Sequence, residues 1–288
     1  MHLSFVRCTL WAVCCLLLSC QLLSQGNNVQ PDTFVYNKAG EQAMKAFVFR
    51  PAKDGKRHPA ILLFHGGAWR LGEASWMFGR AQEFATHGMV AIAIDYRLAN
   101  NGLSPVDGVE DAVAAFVWTR AHAKELGIDP KRVAGYGVSA GGHLVASAAL
   151  LPSVRGKKIK KNARPDALLL YSAALNMAHD GYFVNLMKGH GEPAEYSPSS
   201  FISKQLPATL VIQGDSDNIV LGTDAKAFHD EAVSKGAVCE LFLYPGVGHL
   251  LTRNLKVQYR DFDPDPADQA DAHKREDEFL ARIGYFLK

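Results

Sequence analysis

Ser139 is the residue whose sequence context points most clearly to a reactive side chain, because it lies in the pattern Gly137-x-Ser139-x-Gly141. The surrounding stretch, residues 132–145, opens as an apolar strand-like run and closes as a helix start. A serine on such a sharp strand-to-helix turn is held in strained backbone geometry, with its hydroxyl exposed at the top of a sheet. Side chains two residues before and after it would collide, so both positions must be nearly bare. The pattern predicts a serine nucleophile, although an ordinary glycine-rich loop would give the same five letters.

A serine nucleophile needs a general base, and His249 is the histidine best placed to supply it. In open α/β sheets the active site lies beyond the carboxyl ends of the strands, so residues that directly follow apolar runs are the candidates. His249 follows the run at residues 238–243, on a glycine-rich turn. His229 and His273 lie within helical patterns, which favour surface positions for them.

Two aspartates, Asp215 and Asp217, are candidates for the acid that orients the histidine, because both follow the apolar run at residues 208–212. One can orient the base while the other holds the turn by bonding to its own backbone. We prefer Asp217, because Asp215 directly follows Gly214, where a tight turn would use it structurally. The resulting chain order of nucleophile, acid and base is the one expected on an α/β sheet.

The loop after the apolar run at residues 60–64 reads HGGAW and spans residues 65–69. Its small residues leave backbone N–H groups uncovered, which suits a developing oxyanion, although a turn that needs glycine would look the same. We expect His65 to brace this loop rather than to catalyse. Trp69 and Trp76 are candidates for lining a substrate pocket, with core packing as the alternative.

The apolar runs predict the elements that position these residues. Residues 33–36 and 46–49 predict an antiparallel strand pair. Continuous apolar runs then predict strands buried on both faces of a parallel sheet, at residues 60–64, 89–94, 133–136, 167–171, 208–212 and 238–243. Amphipathic stretches such as residues 111–124 predict helices between them. The last helix is predicted to begin at Asp265 and Pro266. The alternation predicts a mostly parallel, doubly wound sheet of about eight strands in a single domain, residues 30–288.

Two polar segments interrupt this alternation of strands and helices. Residues 177–204 are expected to form a small cap or lid. Residues 252–270 separate the last strand from the last helix, and solvated turns with a helix cap are expected there rather than a calcium site. Long irregular segments in a compact domain are usually functional or mobile.

Composition sets the limits on function. The chain has 288 residues, 48% of them hydrophobic and 21% charged, and a formal net charge of +2. These values are ordinary for a soluble domain and give no reason to expect nucleic acid as a partner. No H-E-x-x-H motif or phosphate loop occurs, so no metal and no cofactor is predicted. Cys239 is the one cysteine after residue 20, so we expect a small buried hydrophobe there rather than a disulfide partner.

Residues 1–20 read as a signal peptide. The apolar run at residues 8–18 is short for a membrane span but suits a signal-peptide core. It ends in Leu17-Leu18-Ser19-Cys20, which resembles the lipobox of bacterial lipoproteins and implies lipidation of Cys20. Cleavage a few residues later, without a lipid, is the alternative. We therefore expect an exported protein, either an envelope lipoprotein or a secreted one, with membrane contact only through a lipid at Cys20.

Three motifs together resemble the α/β-hydrolase superfamily: HGGAW at residues 65–69, DYRL at residues 95–98 and GVSAGGH at residues 137–143. More narrowly they resemble its esterase/lipase branch with the HGG oxyanion motif, including hormone-sensitive-lipase-like and bacterial feruloyl-esterase-like enzymes. The resemblance covers nearly all of residues 33–288 and implies an α/β-hydrolase fold with a small cap.

The resemblance also implies roles for individual residues. Ser139 would be the nucleophile, His249 the base and Asp217 the acid. The oxyanion hole would be formed by the backbone N–H groups of Gly67, Ala68 and Ala140. Ala68 stands where many relatives have a third glycine, and its N–H group can still donate.

The expected function is that of an exported serine ester hydrolase that works through an acyl-enzyme. Short-chain or aromatic acyl esters are the expected substrates, with acylated polysaccharide as one source of them. A serine peptidase of the prolyl-oligopeptidase type shares the triad, but the chain has no room for the large propeller that such enzymes normally carry. A binding protein that kept the fold without the chemistry is the remaining alternative. The oligomeric state is left open.

Overall fold

The computed structural model describes residues 30–286, so the predicted signal peptide and Cys20 lie outside the described residues. The strands are β1 Asp32–Ala39, β2 Gln42–Phe49, β3 His58–Phe64, β4 Val90–Ile94, β5 Ile128–Val138, β6 Ser153–Val154, β7 Lys157–Lys158, β8 Ala167–Tyr171, β9 Ala208–Gly214 and β10 Cys239–Tyr244. Eight of them form one sheet in the order β1-β2-β4-β3-β5-β8-β9-β10. The strands β1 and β2 are antiparallel to their neighbours, and the other six run parallel.

The α-helices of the described chain are α1 Phe78–Thr86, α2 Pro105–Ala121, α3 Ala123–Leu126, α4 Ala140–Leu150, α5 Gly181–Leu186, α6 Gly222–Ser234 and α7 Pro266–Arg282. Short 3-10 helices span Ala74–Met77, Lys161–Ala163, Pro193–Tyr196, Pro198–Phe201 and His249–Leu251. The sheet separates two apolar clusters, because the parallel strands bury side chains on both faces. This is the α/β-hydrolase arrangement that the sequence predicts.

Most predicted elements occur where the patterns place them, and the differences have local causes. Helix α2 begins at Pro105 rather than near residue 111, because Ser104 and Asp107 form a capping box before it. The two-residue strands β6 and β7 form a small separate hairpin that was not predicted. The predicted cap of helix α7 is confirmed, since Asp265 accepts hydrogen bonds from the N–H groups of Ala267 and Asp268.

Cys239 is a buried free thiol at the start of β10, as expected. Burial raises the pKa of this thiol to about 12, so it is protonated at neutral pH and behaves as a small apolar side chain. Across residues 30–286, no helix is both long enough and apolar enough to cross a bilayer.

Candidate active site

Ser139 lies on the sharp turn between β5 and α4, with φ 52° and ψ −116°. Its N–H group donates to the carbonyl of Tyr171 on the neighbouring strand, which holds this strained conformation in place. A Cβ atom at Gly141 would lie 2.2 Å from the carbonyl oxygen of Phe64, and one at Gly137 would lie 2.4 Å from the Gly141 oxygen. The predicted need for bare positions on both sides of the serine is therefore confirmed.

His249 follows β10 and reaches both the serine and an aspartate. Its Nε2 lies 3.0 Å from Ser139 Oγ, and its Nδ1 lies 2.7 Å from Asp217 Oδ2. The carboxylate oxygen can only accept from a ring N–H, so Nδ1 carries the proton and Nε2 is free to accept the serine proton. Both His249 and Asp217 are buried, which keeps water away from this hydrogen bond.

Asp217 is held by backbone and side-chain donors on the turn after β9. Its Oδ1 accepts from the N–H groups of Ile219 and Val220, each at 2.9 Å. Its Oδ2 accepts from Gln213 Nε2 at 2.8 Å in addition to the histidine. Four donors therefore fix the carboxylate in one orientation, with the oxygen Oδ2 turned toward His249.

Asp215, the rival acid, has a structural position. Its Oδ1 accepts from the N–H group of Gly246 at 2.8 Å and from the Ser216 hydroxyl at 2.8 Å. These bonds tie the turn after β9 to the turn after β10. The structure thus brings Asp217, and not Asp215, to the histidine.

The glycine-rich loop after β3 runs beside the nucleophile. A Cβ atom at Gly66 would lie 3.3 Å from the Cβ of Ser139. Gly67, Ala68 and Trp69 all have positive φ, at 116°, 52° and 62°. No acceptor within residues 30–286 bonds to the backbone N–H groups of Gly67, Ala68 or Ala140. These three groups remain available to an oxyanion beside Ser139.

His65 braces this loop from its base, as expected. Its Nδ1–H donates to the carbonyl of Gly66 at 2.6 Å, and its ring stacks on Tyr96 at a centroid distance of 4.3 Å. The Tyr96 hydroxyl donates in turn to the carbonyl of His65 at 2.8 Å. Burial lowers the pKa of His65, so its imidazole is neutral at pH 7.

A largely apolar cleft of about 440 Å³ opens over Ser139. Its apolar lining includes Leu71, Trp76 and Met77 from the segment after β3. Further apolar and aromatic lining comes from Ile219, Leu250, Tyr259 and Phe262, and the ring of Phe262 lies 6.2 Å from that of His249. The site therefore combines a hydrogen-bonded serine, uncovered backbone donors and an apolar pocket large enough for a small acyl group.

Known proteins are similar to this chain in sequence and in fold. The BD-FAE family model matches residues 47–168. An arylesterase of Saccharolobus solfataricus is 37% identical over 149 residues, which cover 49% of this chain and 46% of the relative. The carboxylic ester hydrolase LipN of Mycobacterium tuberculosis is 39% identical over 117 residues, covering 40% and 30% respectively. The matched stretches thus span half or less of the length of these relatives.

Solved structures match over almost the whole domain. Native esterase 2 of Thermogutta terrifontis superposes with a TM-score of 0.77 and 29% identity, covering 90% of this chain and 94% of that one. The protein has the α/β-hydrolase fold, and its sequence is similar to esterases of that superfamily. In this protein, as in the fold generally, Ser139, His249 and Asp217 reach the site from the carboxyl ends of separate strands.

The two tryptophans considered as pocket candidates, Trp69 and Trp76, have different environments. Trp76 lines the cleft and is 57% exposed. Trp69 does not line it: its indole is buried, donates to His143 Nδ1 at 3.1 Å and packs on Phe183. Core packing, the alternative considered for Trp69, is what the structure shows. Trp69 has a positive φ of 62°, and spacing in the sequence gives no sign of this conformation or of the contacts of the indole.

The two insertions differ in their relation to the cleft. Residues 177–204 contribute no residue to the lining of the cleft, and Phe183 in helix α5 packs instead against Trp69 and His143. This insertion therefore packs against Trp69 of the glycine-rich loop, and none of its residues lines the cleft. The second insertion supplies Tyr259 and Phe262 to the cleft. Its length and irregularity were the only signals in the sequence that pointed to a functional role.

Side chains such as Gln213 and Gln258 were missed by sequence reasoning because an isolated glutamine carries no motif. Both make hydrogen bonds to the turns that hold Asp217 and His249. For a metal, no group of three or more His, Cys, Asp or Glu side chains within residues 30–286 is arranged to bind one.

Proposed function

We propose that this protein is a serine carboxylic-ester hydrolase that works through an acyl-enzyme. The observation that carries the proposal is the unbroken hydrogen-bond chain from Ser139 Oγ through His249 to Asp217 at the floor of an apolar cleft. The names of the relatives, arylesterase and carboxylic ester hydrolase, support the same reaction class.

The reaction follows from the positions of the donors and acceptors. Ser139 Oγ attacks the ester carbonyl carbon while His249 Nε2 takes its proton, and Asp217 stabilises the imidazolium that forms. The carbonyl oxygen becomes an oxyanion that the N–H groups of Gly67, Ala68 and Ala140 can bind. His249 then returns the proton to the leaving alcohol, which leaves an acyl group on Ser139. Water, deprotonated by His249, attacks the acyl-enzyme and releases the acid.

The lining of the cleft favours esters with a short or aromatic acyl group. Its side-chain surface comes mostly from apolar residues, so a hydrocarbon chain or a flat ring is stabilised there and a charged acyl group is not. Esterase 2 of Thermogutta terrifontis has been solved with propionate and with butyrate bound, which supports a short acyl group. The sugar of an acylated polysaccharide would lie outside the cleft, where the lining residues Trp76 and Tyr259 are exposed to solvent.

A peptidase activity has less support. A short peptide substrate presents an ammonium group near the scissile bond, and such a group needs a carboxylate partner when it is removed from water. No carboxylate belongs to the residues that line the cleft. The intact hydrogen-bond chain likewise speaks against a protein that only binds ligands.

The test is turnover of a panel of p-nitrophenyl esters from acetate to long chains. Methyl ferulate, acetylated xylan and a dipeptidyl anilide complete the panel, and Ser139→Ala is the control. We expect serine-dependent turnover that is highest for short or aromatic acyl esters. Labelling of Ser139 by the organophosphate paraoxon, read by intact mass, reports the nucleophile independently of the substrate. Turnover of the anilide alone would replace the esterase by the peptidase, and a panel without any serine-dependent turnover would contradict the proposal.

We also propose that the protein is exported and anchored by a lipid on Cys20. The apolar run of residues 8–18 and the lipobox-like end at Cys20 support this. Expression with labelled palmitate in a bacterial host tests it, with Cys20→Ala as the control. Label on the wild type alone is the expected result, and unlabelled protein in the medium would indicate plain secretion.

A further inference from the structure

Residues 252–264 form a closed loop beside the catalytic histidine, here called the 252–264 loop. Its two ends meet where Thr252 pairs with Pro264 in an antiparallel bridge. Arg253 and Asp263 form an ion pair across the same neck, at 2.8 Å. Since the ends are fixed to each other, the loop can present its side chains in a defined arrangement.

Gln258 lies in the middle of this loop and is buried, with 2% of its surface exposed. Its Oε1 accepts from the N–H group of His249 at 2.8 Å and from that of Asn218 at 3.2 Å. Its Nε2 donates to the carbonyl of Ser216 at 2.9 Å. One amide therefore joins the backbone of the histidine to the residues on both sides of Asp217.

The backbone around His249 needs such support. Leu250 and Leu251, the next two residues, both have positive φ, at 56° and 59°. Residues other than glycine keep this conformation only where surrounding contacts impose it. Gly248, just before the histidine, leaves room for the amide: a Cβ atom there would lie 2.3 Å from the Gln258 side chain.

We propose that Gln258 is a positioning residue that keeps Asp217 and His249 in the relative position that proton transfer requires. The inference rests on the proposed function. Gln258 does not line the cleft, whereas its neighbour Tyr259 does, along with Phe262 on the same loop. The 252–264 loop thus has two separate roles. Tyr259 and Phe262 contact the substrate, and Gln258 fixes the positions of the catalytic acid and base.

The test is Gln258→Met, which keeps the length of the side chain and removes its hydrogen bonds. Misplacing a catalytic group by about 1 Å can cost on the order of 10²-fold in rate. We expect a fall in kcat of this order with KM for p-nitrophenyl butyrate unchanged. Tyr259→Ala should instead raise KM. Gln205→Met, an exposed glutamine outside the site, is the matched control and should match the wild type.

A second readout separates this proposal from the proposed function. The rate at which paraoxon labels Ser139 depends on activation of the serine, so it should fall in Gln258→Met even where no ester is turned over. Should Gln258→Met fail to fold by circular dichroism, Gln258→Glu replaces it, because a carboxylate still accepts both N–H groups but cannot donate to Ser216. Its kcat and labelling rate should lie between those of the wild type and Ser139→Ala. An unchanged kcat and labelling rate with a lower melting temperature would overturn the proposal, as would a change in KM alone.

Discussion

Trp69 and His143 are joined by a hydrogen bond of 3.1 Å from the indole Nε1 to the imidazole Nδ1. Trp69 belongs to the oxyanion loop, and His143 belongs to helix α4 behind the nucleophile. The Nε2–H of His143 donates to the carbonyl of Tyr196 at 2.7 Å, and Phe183 packs on both rings. The first insertion, the oxyanion loop and the nucleophile helix are thus tied together through one neutral imidazole.

This arrangement predicts that the protein loses stability in mild acid. Burial lowers the pKa of His143 from 6.5 to about 4, because a charged ring has no solvation there. The unfolded chain therefore binds the proton more readily than the native one. The contribution of neutral His143 to the free energy of unfolding is fully present above pH 6.5. As the pH falls toward 4 this contribution, ~3 kcal/mol in all, is lost.

Urea unfolding at several pH values between 7 and 4 measures this loss. His143→Gln is the comparison, because its amide can accept from Trp69 and donate to Tyr196 but does not titrate. The free energy of unfolding of the wild type should fall more steeply with decreasing pH than that of the variant. Parallel curves would show that His143 does not titrate in this range.

In the oxyanion loop, residues 65–69, we expect substitutions at two adjacent residues to have different effects on kcat. Gly67→Ala places a Cβ atom 2.1 Å from the carbonyl oxygen of Leu71, so the loop must move and its donors lose their alignment. The loss of one such donor costs about 10²–10³-fold in kcat. Ala68→Gly keeps the N–H group. It also removes the strain of an alanine in the left-handed conformation, a strain of roughly 1–2 kcal/mol. Its kcat should therefore stay near that of the wild type, and steady-state kinetics of both variants decides between these outcomes.

The sheet and the meeting of Ser139, Asp217 and His249 could be predicted because both depend on regular patterns. Buried parallel strands appear as continuous apolar runs, and their carboxyl ends meet at one edge, which brings Ser139, Asp217 and His249 together. The lining of the cleft could not be predicted in this way. Whether Trp69 or Trp76 faces the substrate depends on backbone angles in the loop, and which insertion borders the cleft depends on packing between distant segments.

Trp76 predicts an effect on substrate binding that is confined to bulky esters. Removing an apolar contact of this kind costs ~1.4 kcal/mol, a factor of about ten in binding. Trp76→Ala should raise KM for aromatic or longer acyl esters and leave kcat/KM for acetate nearly unchanged. Tyr182→Ala is the matched control, because Tyr182 is 47% exposed but does not line the cleft. An equal rise in KM for both variants, or an equal rise for all esters, would contradict the role of Trp76.

The two aspartates of the turn after β9 predict a sharp contrast in kcat. In Asp217→Asn the amide oxygen can still accept from Ile219 and Val220, which turns the NH₂ group toward His249. That group cannot accept the Nδ1 proton, so the imidazole takes the wrong tautomer and cannot receive the proton of Ser139. The loss expected for such a change is about 10⁴-fold in kcat.

Asp215→Asn is the matched variant, because an asparagine oxygen can still accept from the N–H group of Gly246. Its kcat should remain close to that of the wild type. Both variants keep the size of the side chain, so circular dichroism should show the same fold for each. Kinetics with p-nitrophenyl butyrate then compares the two carboxylates directly, and a larger loss in Asp215→Asn than in Asp217→Asn would reverse the assignment of the acid.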